Sequence, residues 1–98
     1  MARLGRQRNY EGITPEVIYE TCKTVLKDLG FEVYKLRPIA FLAEGRINSE
    51  QGLVLANLIT SAFTKELSLV VKSETASQEM VDQLGNQILE ALDKKLLK

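Results

Sequence analysis

The segment from Ile13 to Phe31 constrains this chain most, because it carries the start and stop signals of a single helix. Thr14 stands where a capping oxygen is needed. Pro15 suits the first helical position, where its missing N–H would be unpaired anyway, and Glu16 meets the positive end of the helix dipole. Ile13 and Ile18 are spaced for a hydrophobic staple across that cap. Ile18, Cys22, Val25, Leu26 and Leu29 recur at helical spacing, with Glu20, Lys23, Thr24 and Lys27 toward water. Gly30 supplies the left-handed residue that ends such a helix, and Phe31 is placed to touch Leu26. One apolar stripe of this kind must be buried against another layer of the same domain.

The rest of the chain supplies that layer. Phe31 to Arg37 is rich in aromatic and branched residues and reads as a strand stopped by Pro38. Ile39 to Ile47 reads as a second strand with Gly45 as a bulge position, and 48–52 is the next breaker. Over 53–64 neither alternating set is cleanly polar, whereas Asn57, Thr60, Ser61 and Thr64 share one helical face. This favours a helix from about Glu50 to Lys65, capped by Ser49, with a buried strand over 53–64 as the alternative.

Leu67 to Lys72 has strand length. Thr75 with Gln78, or Ser77 alone, then caps a long amphipathic helix whose stripe is Met80, Val81, Leu84, Ile88, Leu92 and Leu96. Lys94, Lys95 and Lys98 stand at its negative end. The expected fold is an α+β two-layer domain in the order helix, strand, strand, helix, strand, helix over 13–98. Residues 1–12 lack periodicity and carry Arg3, Arg6 and Arg8 against Glu11, so they read as a flexible basic arm, with pairing as an edge strand the alternative.

Composition narrows the chemistry. The chain has 98 residues, 45% of them hydrophobic and 27% charged, and its formal net charge is zero, so bulk attraction to nucleic acid is not supported. Histidine is absent, which removes Ser-His-Asp and Cys-His catalysis and the commonest metal ligand. A lone Cys22 excludes an internal disulfide and a cysteine zinc cluster, and its place on the apolar stripe makes it a core thiol rather than a nucleophile. No phosphate-binding glycine loop is present, and Asp28, Asp82 and Asp93 are isolated from one another. No apolar run reaches the roughly 18 residues of a membrane span, and residues 1–10 lack the apolar centre of a secretory signal. The expectation is a cytoplasmic protein without membrane contact, cofactor or metal. Glu44 with Arg46, and Lys35 with Arg37, each share a strand face; in a hairpin they would meet across the ladder.

The order of a basic arm, a helix ending Leu26-x-x-Leu29-Gly30-Phe31-Glu32-Val33, strands, then Leu69-Val70-Val71-Lys72-Ser73-Glu74 and a Gln-containing helix resembles small nucleases of the restriction-endonuclease-like class. It is similar also to domains of uncharacterised bacterial surface lipoproteins. Those nucleases place a Pro-Asp before the metal and a Glu-x-Lys on the next strand. The matching positions here are Pro38-Ile39 and Val70-Val71-Lys72, which keep only the lysine, so this resemblance implies a catalytically dead copy.

The expected function is a non-enzymatic protein-interaction or self-associating module. Its expected interface is the C-terminal helix through Val81, Leu84, Gly85, Ile88 and Leu92, where Gly85 would let another backbone approach. The alternative is a weak nucleic-acid-associated domain using Arg3, Arg6, Arg8, Lys35 and Arg37.

Overall fold

A computed structural model describes residues 1–97; Lys98 lies outside the described residues. The order is β1 (Ala2–Asn9), α1 (Pro15–Asp28), β2 (Glu32–Arg37), a 3-10 turn (Pro38–Ala40), β3 (Leu42–Ser49), β4 (Gly52–Thr60), β5 (Glu66–Ser73) and α2 (Gln78–Leu96). One antiparallel sheet runs β1-β5-β4-β3-β2. The α+β class holds, with two helices and five strands in place of the three helices and three strands expected.

α1 ends as its sequence requires. The Thr14 side chain accepts from the Val17 N–H, Gly30 has φ +90°, and the Phe31 N–H donates to the Leu26 carbonyl at 2.9 Å. Ser77 caps α2 by accepting from the Met80 N–H.

Three expectations change. The segment over 53–60 is strand β4, not a helix, because Val54, Ala56, Leu58 and Thr60 alternate into the core. The irregularity in the β2–β3 hairpin falls between Val33 and Lys35, not at Gly45. Gly45 instead lies under Phe31, where an added Cβ would stand 3.2 Å from the Phe31 Cβ.

The third change is the N-terminus: Ala2–Asn9 is not an arm but edge strand β1, paired with β5 along its whole length. Leu4 and Tyr10 explain why. Leu4 is buried against α2 at Gly85, where an added Cβ would fall 2.0 Å from Leu4 Cδ2. Tyr10 is buried and donates its hydroxyl proton to Asp93 Oδ1 at 2.7 Å, and Arg8 Nε lies 3.7 Å from Asp93 Oδ2.

Both helices cover one face, since the buried strand positions alternate toward them: Leu4, Val71 and Ala56 in one row, Leu69, Leu58 and Ala43 in the next. α1 packs on β2, β3 and β4, and α2 on β1 and β5.

The outer edge of β1 is largely self-capped. Gln78 accepts from the Arg3 N–H and donates to the Arg3 carbonyl, while Arg6 and Arg8 guanidinium groups donate to the Gly5 and Gln7 carbonyls. Such devices hold off strand addition. Amide exchange should therefore alternate along β1, with the Leu4, Arg6 and Arg8 N–H groups protected by β5 and those of Gly5 and Gln7 exchanging fast. Uniformly fast exchange would restore the arm. Tyr10→Phe should cost about 1–3 kcal/mol in denaturant melts, as expected for losing a hydrogen bond to a carboxylate.

Candidate functional site

With both helices on one side, the sheet's other face is bare, and the register fixes its rows. Arg3, Lys72, Leu55, Arg46 and Glu32 form the first; Gly5, Val70, Asn57, Glu44 and Lys35 the second; Gln7, Ser68, Ile59, Leu42 and Arg37 the third. Open-face positions usually alternate to polar residues. Here Leu53, Ile59 and Tyr34 are exposed, and Leu42, Leu55 and Val70 are half-buried.

A polar cluster crosses this apolar ground. The Tyr34 hydroxyl donates to Glu44 Oε2 and the Asn57 amide donates to Glu44 Oε1, both at 2.8 Å. Arg46 pairs with Glu32 and lies over the Tyr34 ring at 5.2 Å. Desolvation first, then the bond to Glu44, holds the Tyr34 phenol above its ordinary pKa. Arg3 and Lys72 stand directly opposite in register, and neither takes part in an ion pair among the described residues.

Two hairpin loops close the same end of the sheet. Ile39, in the turn between β2 and β3, and Phe63, in the loop between β4 and β5, are each 97% exposed. Because β3 pairs with β4, the two loops stand side by side, and the Thr60 N–H donates to the Phe41 carbonyl between their bases. Both carry local backbone constraints. Ser61 Oγ accepts from the Phe63 and Thr64 N–H groups, and Pro38 fixes the turn that presents Ile39.

The expected helix interface lies elsewhere. Val81, Gly85, Ile88 and Leu92 are buried under the chain's own sheet and Leu84 packs beside them, so this stripe is spent on the core. The close approach read from Gly85 is real, but its partner is Leu4 of the same chain.

The expected basic residues do not converge. Arg3 sits on the open face at one edge, whereas Arg6 and Arg8 alternate to the helix side and Arg8 is engaged by Asp93. Lys35 and Arg37 lie on β2, the opposite edge, roughly 19 Å away at ordinary strand spacing. Pro38 and Lys72, the nuclease-like positions, stand near opposite ends of the sheet, separated by about 13 Å of strand. Among the described residues no three His, Cys, Asp or Glu side chains gather as a metal site.

The open-face residues Tyr34, Leu53, Leu55 and Ile59, with Ile39 and Phe63 at the tips, were missed from sequence, and Lys72 was singled out only through the nuclease resemblance. Their one signal was the failure of 53–60 to alternate between apolar and polar.

Cys22 is buried, which pushes its thiol up to about 12. The unfolded thiol loses its proton near 9.0, so between about pH 9 and 12 the unfolded chain binds fewer protons than the folded one. Stability should then fall with rising pH by up to about 1.4 kcal/mol per unit. Urea melts between about pH 8.5 and 9.5, below most of the tyrosine titration, should show this slope in the wild type and a clearly smaller one in Cys22→Ala; equal slopes would place the thiol in water. A thiol reagent should likewise label the native protein far more slowly than the denatured one.

Neither a protein-family model nor a curated protein sequence matches this chain.

Proposed function

We propose that this protein is a non-enzymatic protein-interaction module that docks its partner on the open face of the sheet and the two adjoining hairpin tips. The observation that carries the reading is where the exposed apolar side chains fall. Tyr34, Leu53 and Ile59 lie on the open face, and Ile39 and Phe63 stand on the two loops at the end of the sheet next to Ile59. Of the other exposed large apolar residues, Met1 borders the hollow at Leu53 and Leu55 on the same face, while Val17 lies on a helix flank and Leu97 is the last described residue. Isolated apolar residues need no explanation, whereas a grouped set marks an interaction site.

Local constraint strengthens the reading. The Ser61 hydroxyl accepts from the Phe63 and Thr64 N–H groups, which favours the turn that presents Phe63 to solvent. Preorganised display of this sort lowers the ordering cost of binding. A second copy of the chain is a poorer fit, because the face carries Arg3, Lys35, Arg37, Arg46 and Lys72 against Glu32, Glu44 and Glu66. Two such faces brought together would set like charges against each other. Nucleic acid is also a poorer fit, since the expected basic residues are divided between two edges and two faces, and sequence-independent affinity depends on the number of phosphates neutralised at once.

Selection of displayed random peptides on the folded protein tests this reading. Enriched peptides should bind the wild type and lose at least about tenfold in affinity to an Ile59→Ser/Phe63→Ser variant that melts like the wild type. Enriched peptides that bind this variant unchanged, or that shift only helix amides in NMR spectra, would overturn it.

A further inference from the structure

Resting on that reading, we infer that the cross-strand pair Arg3 and Lys72 is a receptor for a carboxylate of the partner, and that the docked segment is acidic and apolar. The pair is set against its own sheet. Like charges directly opposite on adjacent strands are destabilising, and no carboxylate of the chain relieves this pair among the described residues. Nearby acids are committed elsewhere: Glu32 to Arg46, and Glu44 to Tyr34 and Asn57. Glu74 lines the same end of the face but makes no ion pair with Lys72.

What surrounds the pair selects the rest of the ligand. Lys72 borders two shallow hollows. The larger, of about 420 Å³, is floored by Leu53 and Leu55 at the end of the sheet where β4 begins. The other lies between Lys72 and the Tyr34–Glu44–Asn57 cluster. A carboxylate held by Arg3 and Lys72 would place an adjacent large apolar side chain over Leu53 and Leu55. Farther along, the segment would reach Ile59 and the tips. This pattern is that of a protein segment alternating acids with leucine-like residues. A phosphate chain offers the charge without the apolar side chains, and Tyr34 is the sole aromatic ring on the strand rows, whereas single-strand binders use stacked aromatics.

The test uses synthetic peptides of about ten residues in a Gly/Ser background. One carries a central Leu-Glu-Leu-Glu. A second replaces both Glu by Lys, a third replaces both Leu by Ser, and a single-stranded oligonucleotide of similar length completes the set. The acidic apolar peptide should bind best, shift the Arg3, Leu53, Leu55 and Lys72 amides, and weaken as salt rises.

Arg3→Glu and Lys72→Ala should each weaken that binding by at least about tenfold. In the free protein, Arg3→Glu should raise the melting temperature by about 1–5 °C, because the pair becomes one of opposite charge. Higher stability with lost affinity is an outcome that simple damage to the fold does not produce. A lower melting temperature for Arg3→Glu, or equal binding of the Lys peptide on this face, would overturn the carboxylate receptor while leaving the docking surface in place. Shifts confined to other faces would overturn both readings. Tighter binding of the oligonucleotide through Arg3 and Lys72 would replace the acidic segment by a phosphate chain and overturn the inference.

Discussion

β1 and β2 occupy opposite edges of one sheet, and the chain that joins them is α1 with its two loops. Successive antiparallel pairings make these two strands run the same way, so the connection must cross a sheet face rather than turn a hairpin. That crossing commits α1 to one side. The buried strand positions then face the same side, and α2 joins α1 there. Both helices among the described residues lie on that side, so the second face is left uncovered by them, and the proposed docking surface follows from the topology.

The edge strand depends on two contacts that close this arrangement. Leu4 fills the space that a side chain at Gly85 would take, and the Tyr10 hydroxyl bonds Asp93 on the last turns of α2. Burial first, then that bond and the Asp93 charge, holds the Tyr10 phenol well above its usual value. A glycine inside a helix costs about 1 kcal/mol relative to alanine. Here the loss is offset by the packing of Leu4, which draws β1 under α2. Arg6 and Arg8 of the same strand then lie at the rim, where their guanidinium groups donate to the Gly5 and Gln7 carbonyls and Arg8 pairs with Asp93.

Much of this was legible in the sequence, and the misses have physical causes. α1 was readable at both ends because Thr14, Pro15, Gly30 and Phe31 act locally, through backbone groups within a turn of themselves. The start of α2 at Ser77 was readable for the same reason. β1 was not, because its strand character comes from a distant partner, β5, and Arg6 and Arg8 occupy positions that would be apolar in a central strand. The stripe of α2 was legible as apolar but not as to its destination, since periodicity reports that a face is buried and not what buries it.

β4 joins the misreading to the site. A strand with one covered and one solvated face alternates between apolar and polar residues, and a helix was favoured over 53–64 because this alternation is missing. It is missing because Leu53, Leu55 and Ile59 point to the bare face while Val54, Ala56 and Leu58 point to the core. A strand apolar on both faces is expected in the middle of a sheet covered on both sides, yet the described residues cover one side alone. The pattern is that of an interior strand placed at a surface. The residues that defeated the helix-or-strand decision are therefore the ones on which the proposed docking rests, and both follow from one source, a largely apolar face that the described residues leave uncovered.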